Sequence, residues 1–206
     1  MWVEIVGASL GYNERPVLND INLAIKSPGI VLVKGPNGSG KTTLLKGIAG
    51  LLKPLRGEIR VIGRKPYSIL FNRGLIGYVP QDPLHQFSEP RVIDEIMLQA
   101  LSRNLANYFA EKMGLKKLLY TSPLHLSIGE MKRTLIAAAL AKQPKVLLID
   151  EPSLGQDNLS LGSIIDALVE YSEKAVVIVA SHDERVARCI DPSIVLSIRG
   201  GKVFAE

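Results

Sequence analysis

The chain has a single cysteine, Cys189. No disulfide can therefore form within it, which suits a reducing cytosol. Apolar runs are short. The most apolar segments, Leu135 to Ala141 and Ala175 to Ala180, fall far below the roughly 20 residues a membrane-crossing helix requires. Met1-Trp2-Val3-Glu4 lacks a basic region followed by an apolar core, so no secretion signal is expected. There is no internal repeat, no low-complexity tract and no long linker. The net charge is +5, yet Lys and Arg are scattered and not interleaved with aromatics. A solvated surface is the ordinary reading of such a charge, and a basic face toward nucleic acid or an anionic membrane the sharper one. Charge alone therefore does not select nucleic acid. With 206 residues, 47% apolar and 22% charged, the chain suits one globular domain with a small appendage.

Against these absences stands one dense motif. Gly35-Pro36-Asn37-Gly38-Ser39-Gly40-Lys41-Thr42 fits the phosphate-binding loop, in which a glycine, four residues, a glycine and a lysine precede Ser or Thr. Glycines let the backbone approach phosphate oxygens closely, and successive N–H groups can form an anion nest. Lys41 would reach the β and γ phosphates, and the Thr42 hydroxyl would ligate Mg2+. The context agrees. Ile30 to Val33 reads as a buried parallel strand, and Leu44, Leu45, Ile48, Leu51 and Leu52 fall at helical spacing. The helix N-terminus would add its positive end to the site.

The remaining pattern alternates between strand and helix. Val3 to Leu23 reads as short antiparallel strands with turn signals at Gly11, Asn13 and Pro16. Glu58 to Ile62, Ile76 to Val79, Val146 to Ile149 and Val176 to Val179 read as strands. Ile194 to Ile198 and Lys202 to Phe204 read as a hairpin turned by Gly200-Gly201. Residues from about 84 to 130 change character: Val92, Ile93, Ile96, Met97 and Leu101 have helical spacing, continued by Leu105 to Met113. Met131 to Ala141 is a strong helix former. The order implies an α/β core with a partly parallel sheet and helices on both faces.

Asp150 and Glu151 end the apolar strand Val146 to Ile149. The carboxyl end of a buried parallel strand is where ligands bind in such sheets. Asp150 would hold Mg2+ directly or through water, and Glu151 could orient and deprotonate an attacking water. The plainer alternative is that both acids begin a turn before Pro152.

With these residues in place, the chain resembles the nucleotide-binding subunit of ABC transporters over nearly its whole length. The resemblance implies an ABC-type P-loop NTPase core with mixed β-sheet, an N-terminal antiparallel β subdomain and a helical subdomain. Residues 1–206 would form one domain, its core about 1–83 and 131–206 and the helical part about 84–130. Tyr12 looks like the aromatic that stacks on adenine, a core tyrosine being the alternative. Gln81 looks like the glutamine that reaches Mg2+ and the attacking water. Leu126-Ser127-Ile128-Gly129-Glu130 looks like the signature, with Ile128 where Gly is usual. Ser127 and Gly129 would touch the ATP held by another subunit. Ser127 as N-cap with Glu130 at N3 also fits a capping box. Asp157 matches the loop crossing between subunits, or else caps the next helix. His182 matches the γ-phosphate histidine, while His85 and His125 read as surface or loop residues.

The resemblance further implies a mechanism. Two subunits, identical or paralogous, would pack head to tail around two ATP molecules. Each ATP would contact Gly35 to Thr43 of one chain and the signature of the other. Hydrolysis would reopen the pair and drive separate transmembrane permease subunits from the cytoplasmic face of the membrane. Leu84, Phe87, Val92 and Ile93 would supply part of the docking surface, or pack in the core. No nucleic acid partner is expected. The segment Gln81 to Ser88 and Gly155-Gln156-Asp157 are similar to energy-coupling-factor and cobalt/nickel-type importer ATPases, which implies uptake of a small nutrient or metal ion. Two other classes stay open: a soluble ABC-type ATPase of translation or DNA repair, and a nucleotide-dependent regulator without meaningful catalysis.

Overall fold

A computed structural model describes residues 1–67 and 74–206. The first two strands, β1 (Val3–Tyr12) and β2 (Arg15–Ile25), form a hairpin in which Tyr12 pairs Arg15. The turn residues Asn13 and Glu14 have φ of 48° and 62°. Positive φ at both central positions is the two-residue turn whose twist matches the flanking strands. Pro16 lies inside β2 rather than in the turn. That is tolerated because β2 is an edge strand of the sheet β2-β1-β4, where β4 is Arg56–Val61.

The larger sheet has the order β5-β6-β7-β3-β8-β9. Its strands are β3 (Gly29–Lys34), β5 (Ile76–Val79), β6 (Val146–Asp150), β7 (Val176–Ala180), β8 (Ile194–Arg199) and β9 (Lys202–Ala205). All neighbours run parallel except β9, which pairs antiparallel with β8. The central strands bury every residue. Alternate side chains serve two separate cores, as the two-residue strand period requires. Val176, Ile178 and Ala180 join α1 (Lys41–Ile48) and the three-stranded sheet. Val177 and Val179 join the other helices. These are α2 (Val92–Gln99), α3 (Arg103–Lys112), α4 (Ile128–Ala141), α5 (Asn158–Ser172) and α6 (Glu184–Cys189). Helices thus cover both faces, as the strand–helix alternation predicts.

Three expectations need correction. The helix after the phosphate loop stops at Ile48, because Gly50 turns left-handed at φ 78°, and Leu51 is left 62% exposed. The helical stretch from Val92 does not continue through Leu101. Ala100 is extended at ψ 140°, and Ser102 caps a new helix by accepting from the Leu105 N–H. Leu101 is 70% exposed. Finally, Val92 and Ile93 are core residues, so among the four apolar docking candidates only Leu84 is well exposed and Phe87 partly so.

Candidate functional site

Strand β3 delivers the phosphate loop to the carboxyl edge of the sheet, and α1 begins at Lys41. Gly40 precedes it at φ 110°, where a Cβ would stand 2.7 Å from the Leu18 side chain. Only glycine combines that backbone with that contact. No side chain caps the helix start, which leaves its first N–H groups available to an anionic ligand.

Four groups converge there. Lys41 Nζ donates to the Gly35 carbonyl at 2.8 Å and the Pro36 carbonyl at 3.3 Å. It also lies 3.4 Å from Glu151 Oε1. Thr42 Oγ1 donates to Asp150 Oδ2 at 2.6 Å, across 108 residues of sequence. A cavity of about 510 Å3 opens over these groups, lined also by Gln81, Asn37, Gly38 and Val17. Pro36 and His182 line a second cavity of about 380 Å3, which the loop shares through Gly35. Gly35 lines that second cavity, while Thr43 faces the first. The Ser39 hydroxyl is buried against the loop with no partner among the described residues.

Glu151 is held from several directions. Its Oε2 accepts from Ser181 Oγ at 3.1 Å and from the His182 backbone N–H at 3.4 Å, and His182 Nδ1 lies 2.8 Å from Oε1. The side chain is nearly buried, and the backbone sits at φ 50°. A left-handed bulky residue is uncommon and costs strain, which persists only where surrounding contacts fix it. Here β7 fixes it, because Ala180 accepts the Glu151 N–H at 2.8 Å.

Asp150 is fully buried. Burial pushes its carboxyl above the usual range, against the pull of the Thr42 hydroxyl and the Lys132 charge. Its Oδ1 has no hydrogen-bond partner among the described residues. An orphaned buried carboxylate oxygen beside a hydroxyl and an amide side chain is an all-oxygen donor set, the kind a hard divalent cation takes. Among the described residues, no group of three or more His, Cys, Asp or Glu side chains is arranged to hold a metal ion by itself. Mg2+ binds through one or two carboxylates plus substrate phosphates, so Thr42, Gln81 and Asp150 fit it. Sequence reasoning missed Ser181, Val17 and Lys132. Ser181 adjoins His182 and could have been found from its strand-end position; the other two carry no motif.

Tyr12, Ser127, Gly129 and Asp157 do not line this cavity. Tyr12 is 44% exposed at the end of β1. Ser127 caps α4 in a complete capping box: Glu130 N–H donates to Ser127 Oγ at 3.3 Å, and Ser127 N–H donates to Glu130 Oε2 at 2.8 Å. Asp157 caps α5 through the Ser160 N–H at 2.7 Å. Both capping alternatives are thus real, and both side chains stay exposed to solvent. The start of α4 and the loop before Asp157 touch directly. A Cβ on Gly129 would lie 2.2 Å from the Gly155 carbonyl oxygen, and Gln156 Nε2 donates to the Gly129 carbonyl at 2.9 Å. His85 and His125 are exposed and stand apart from the site.

A phosphate loop opening into α1, with an Asp-Glu pair ending the strand two places away in the sheet, defines a P-loop nucleoside triphosphatase. The sequence profile described as ABC transporter matches residues 18–154, and the chain belongs to that family. It is 36% identical to a putative ABC transporter ATP-binding protein of Pyrococcus furiosus, over 95% of this chain and 80% of that protein. It is 33% identical to the energy-coupling factor transporter ATP-binding protein EcfA of Methanothermobacter thermautotrophicus, over 99% of this chain and 70% of that one. Among solved structures, a dimeric post-hydrolysis state of the ATP-binding cassette MJ0796 bound to ADP and Pi superposes with TM-score 0.88 at 26% identity, covering 99% of this chain and 97% of that one. The chain is an ATP-binding, ATP-hydrolysing subunit of an ABC transporter. Among the described residues, no helix is long and apolar enough to cross a membrane.

Proposed function

We propose that this subunit powers uptake of a small nutrient or metal ion through separate permease subunits. Two copies, or this chain and a paralogue, would close head to tail on two ATP molecules at the cytoplasmic face. Two relatives are named for import, the zinc import protein ZnuC and a putative HMP/thiamine import protein, and EcfA is named for an energy-coupling factor transporter. A solved relative, cbiO1 from Clostridium perfringens, is part of the ABC transporter complex cbiONQ. Residues from about 84 to 130 would form the helical subdomain that meets the permease, with Leu84 and Phe87 at its surface.

The observation that carries the reading is the convergence of Lys41, Thr42, Gln81, Asp150 and Glu151 on one cavity. Lys41 and the loop N–H groups of Gly35 to Thr43 take the phosphates, and Tyr12 stacks on the base. Thr42, Gln81 and Asp150 hold Mg2+, which when bound neutralises charge on the phosphate oxygens. Glu151, fixed by Ser181 and His182, accepts a proton from the attacking water. Arrival of ATP separates Lys41 from Glu151, freeing the carboxylate for water. His182 gives up its ring contact with Glu151 to reach the γ phosphate, and its half-exposed ring has solvent space to turn, while its backbone N–H keeps hold of Glu151 Oε2. Ser127, Gly129 and Asp157 lie outside the chain's own cavity and face solvent or a loop, which supports their use by the other subunit's nucleotide. Because the γ phosphate contacts both subunits, it favours the closed pair, and its loss on hydrolysis releases it.

Glu151→Gln tests this. The variant should bind ATP as wild type does, lose turnover by about 100-fold or more, and accumulate an ATP-bound dimer by light scattering. Unchanged turnover would remove Glu151 from the role of base.

A further inference from the structure

Among the described residues, Lys132 heads the largest side chains that are fully buried, at 0% exposure. It lies on α4, one turn beyond the start that carries Ser127 and Gly129. Its ammonium donates to the Asp150 carbonyl at 2.5 Å, the Pro80 carbonyl at 2.6 Å and the Gln81 carbonyl at 3.3 Å. An ammonium has three protons, and three main-chain carbonyls take them.

A buried ammonium is costly unless its surroundings repay the lost water. Three carbonyls supply part of that. Asp150, Glu151 and Asp82 attract it as well, though burial still outweighs their pull and disfavours the charged form. With Lys41 against Glu151, two cations face the two adjacent catalytic-site carboxylates. An apolar residue would serve a purely packing role without the desolvation penalty, so the charge itself calls for a function.

The three carbonyls belong to two segments with distinct duties. Pro80 and Gln81 begin the loop whose glutamine lines the nucleotide cavity, and Asp150 ends the strand with the orphaned oxygen. Helix α4 packs against both β5 and β6, and one atom on it holds the ends of both. We infer that Lys132 is a positioning residue for hydrolysis. It sets the Gln81 backbone against the Asp150 backbone, and so fixes both relative to the helix that presents Ser127 and Gly129 to a second subunit. Movement of α4 on engaging that subunit's nucleotide is thereby transmitted to the metal-binding and water-orienting side of this chain's own site. The inference rests on the hydrolytic reading above.

The experiment is steady-state ATPase of the full chain with Mg2+ and ATP, with thermal melting beside it. Lys132→Met keeps the stem and removes charge and donors. Its kcat should fall about 10-fold or more while the KM for ATP stays within about two-fold, because the phosphate loop does not touch Lys132. The Mg2+ concentration for half-maximal rate should rise. Lys132→Arg keeps charge and donors and should restore kcat to within about three-fold of wild type. Unchanged kcat in the Met variant, or a loss confined to KM, would overturn the inference. So would a fall in melting temperature with wild-type kcat, which marks a merely structural clip. If the Met variant does not fold, the Arg variant decides: rescue supports the role, and a 10-fold loss in a folded Arg protein refutes it. A wild-type chain that shows no ATP turnover above a protein-free blank would instead fail the hydrolytic reading, not this one.

Discussion

Gly129→Ala isolates the contact between the start of α4 and the loop that precedes Asp157. The added Cβ would meet the Gly155 carbonyl oxygen at 2.2 Å and its carbon at 3.0 Å. Both are backbone atoms, so no rotamer change relieves them. An ordinary carbon–oxygen approach is about 3.3 Å, so the loop must retreat by roughly 1 Å. Overpacking of this kind costs about 1–3 kcal/mol. Alanine's better helix propensity returns at most about 1 kcal/mol, and because the two nearest atoms are backbone the overpacking cost lies toward the upper end of its range, which leaves a net of about 2 kcal/mol. For a chain of this size that lowers Tm by roughly 4–8 °C. Gly162→Ala is the matched control. Gly162 lies inside α5 with open space at its Cβ position, so it should gain about 0.5–1 kcal/mol and raise Tm by a few degrees. Differential scanning calorimetry reads both. The same retreat displaces the Gly129 N–H and the Asp157 loop together, and a 1 Å misplacement can cost about 100-fold in rate. ATPase activity should therefore drop in Gly129→Ala and stay unchanged in Gly162→Ala. A Gly129→Ala protein as stable and as active as wild type would show that the two backbones do not touch.

Lys41→Ala removes the ammonium that bridges the loop carbonyls and Glu151; ATP affinity by isothermal titration should fall by about 10-fold or more, charge-assisted phosphate contacts being worth about 1.5–3 kcal/mol. Equal affinity would count against the phosphate assignment. Asp183 caps α6 and pairs Arg185, whose hydrogen bonds chiefly hold its carboxyl down to about 2. A depressed carboxylate contributes stability above its unfolded pKa near 3.8 and loses it as pH falls through about 2. The stability gap between wild type and Asp183→Asn should thus be full above pH 4 and close in that window, read by urea melts across pH.

What was legible in the sequence was what spacing encodes. The loop from Gly35 to Thr42 specifies its own geometry, and the apolar run before Asp150 could only be a buried strand. Ser127 with Glu130 announced a capping box, and the structure has one. The helix after the loop was read too long because Leu51 and Leu52 continue the apolar rhythm, while Gly50 ends it by backbone conformation alone. Val92 and Ile93 could not be sorted between surface and core, since periodicity gives a face but not what covers it. Lys132 was invisible for a different reason. A lysine in a helix reads as solvated, and only the approach of Pro80 and Asp150, distant in sequence, makes it a buried donor.

The sheet order carries one more lesson, about assembly during synthesis. Among the described residues, strand β3 pairs only with β7 and β8. The strand that launches the phosphate loop therefore waits for residues beyond Val176 before it has any neighbour. A nascent chain paused earlier would present two bare edges flanking an apolar ribbon, the condition that invites sticking to other chains. The cradle for the nucleotide, though written near the beginning, is among the last parts that can close.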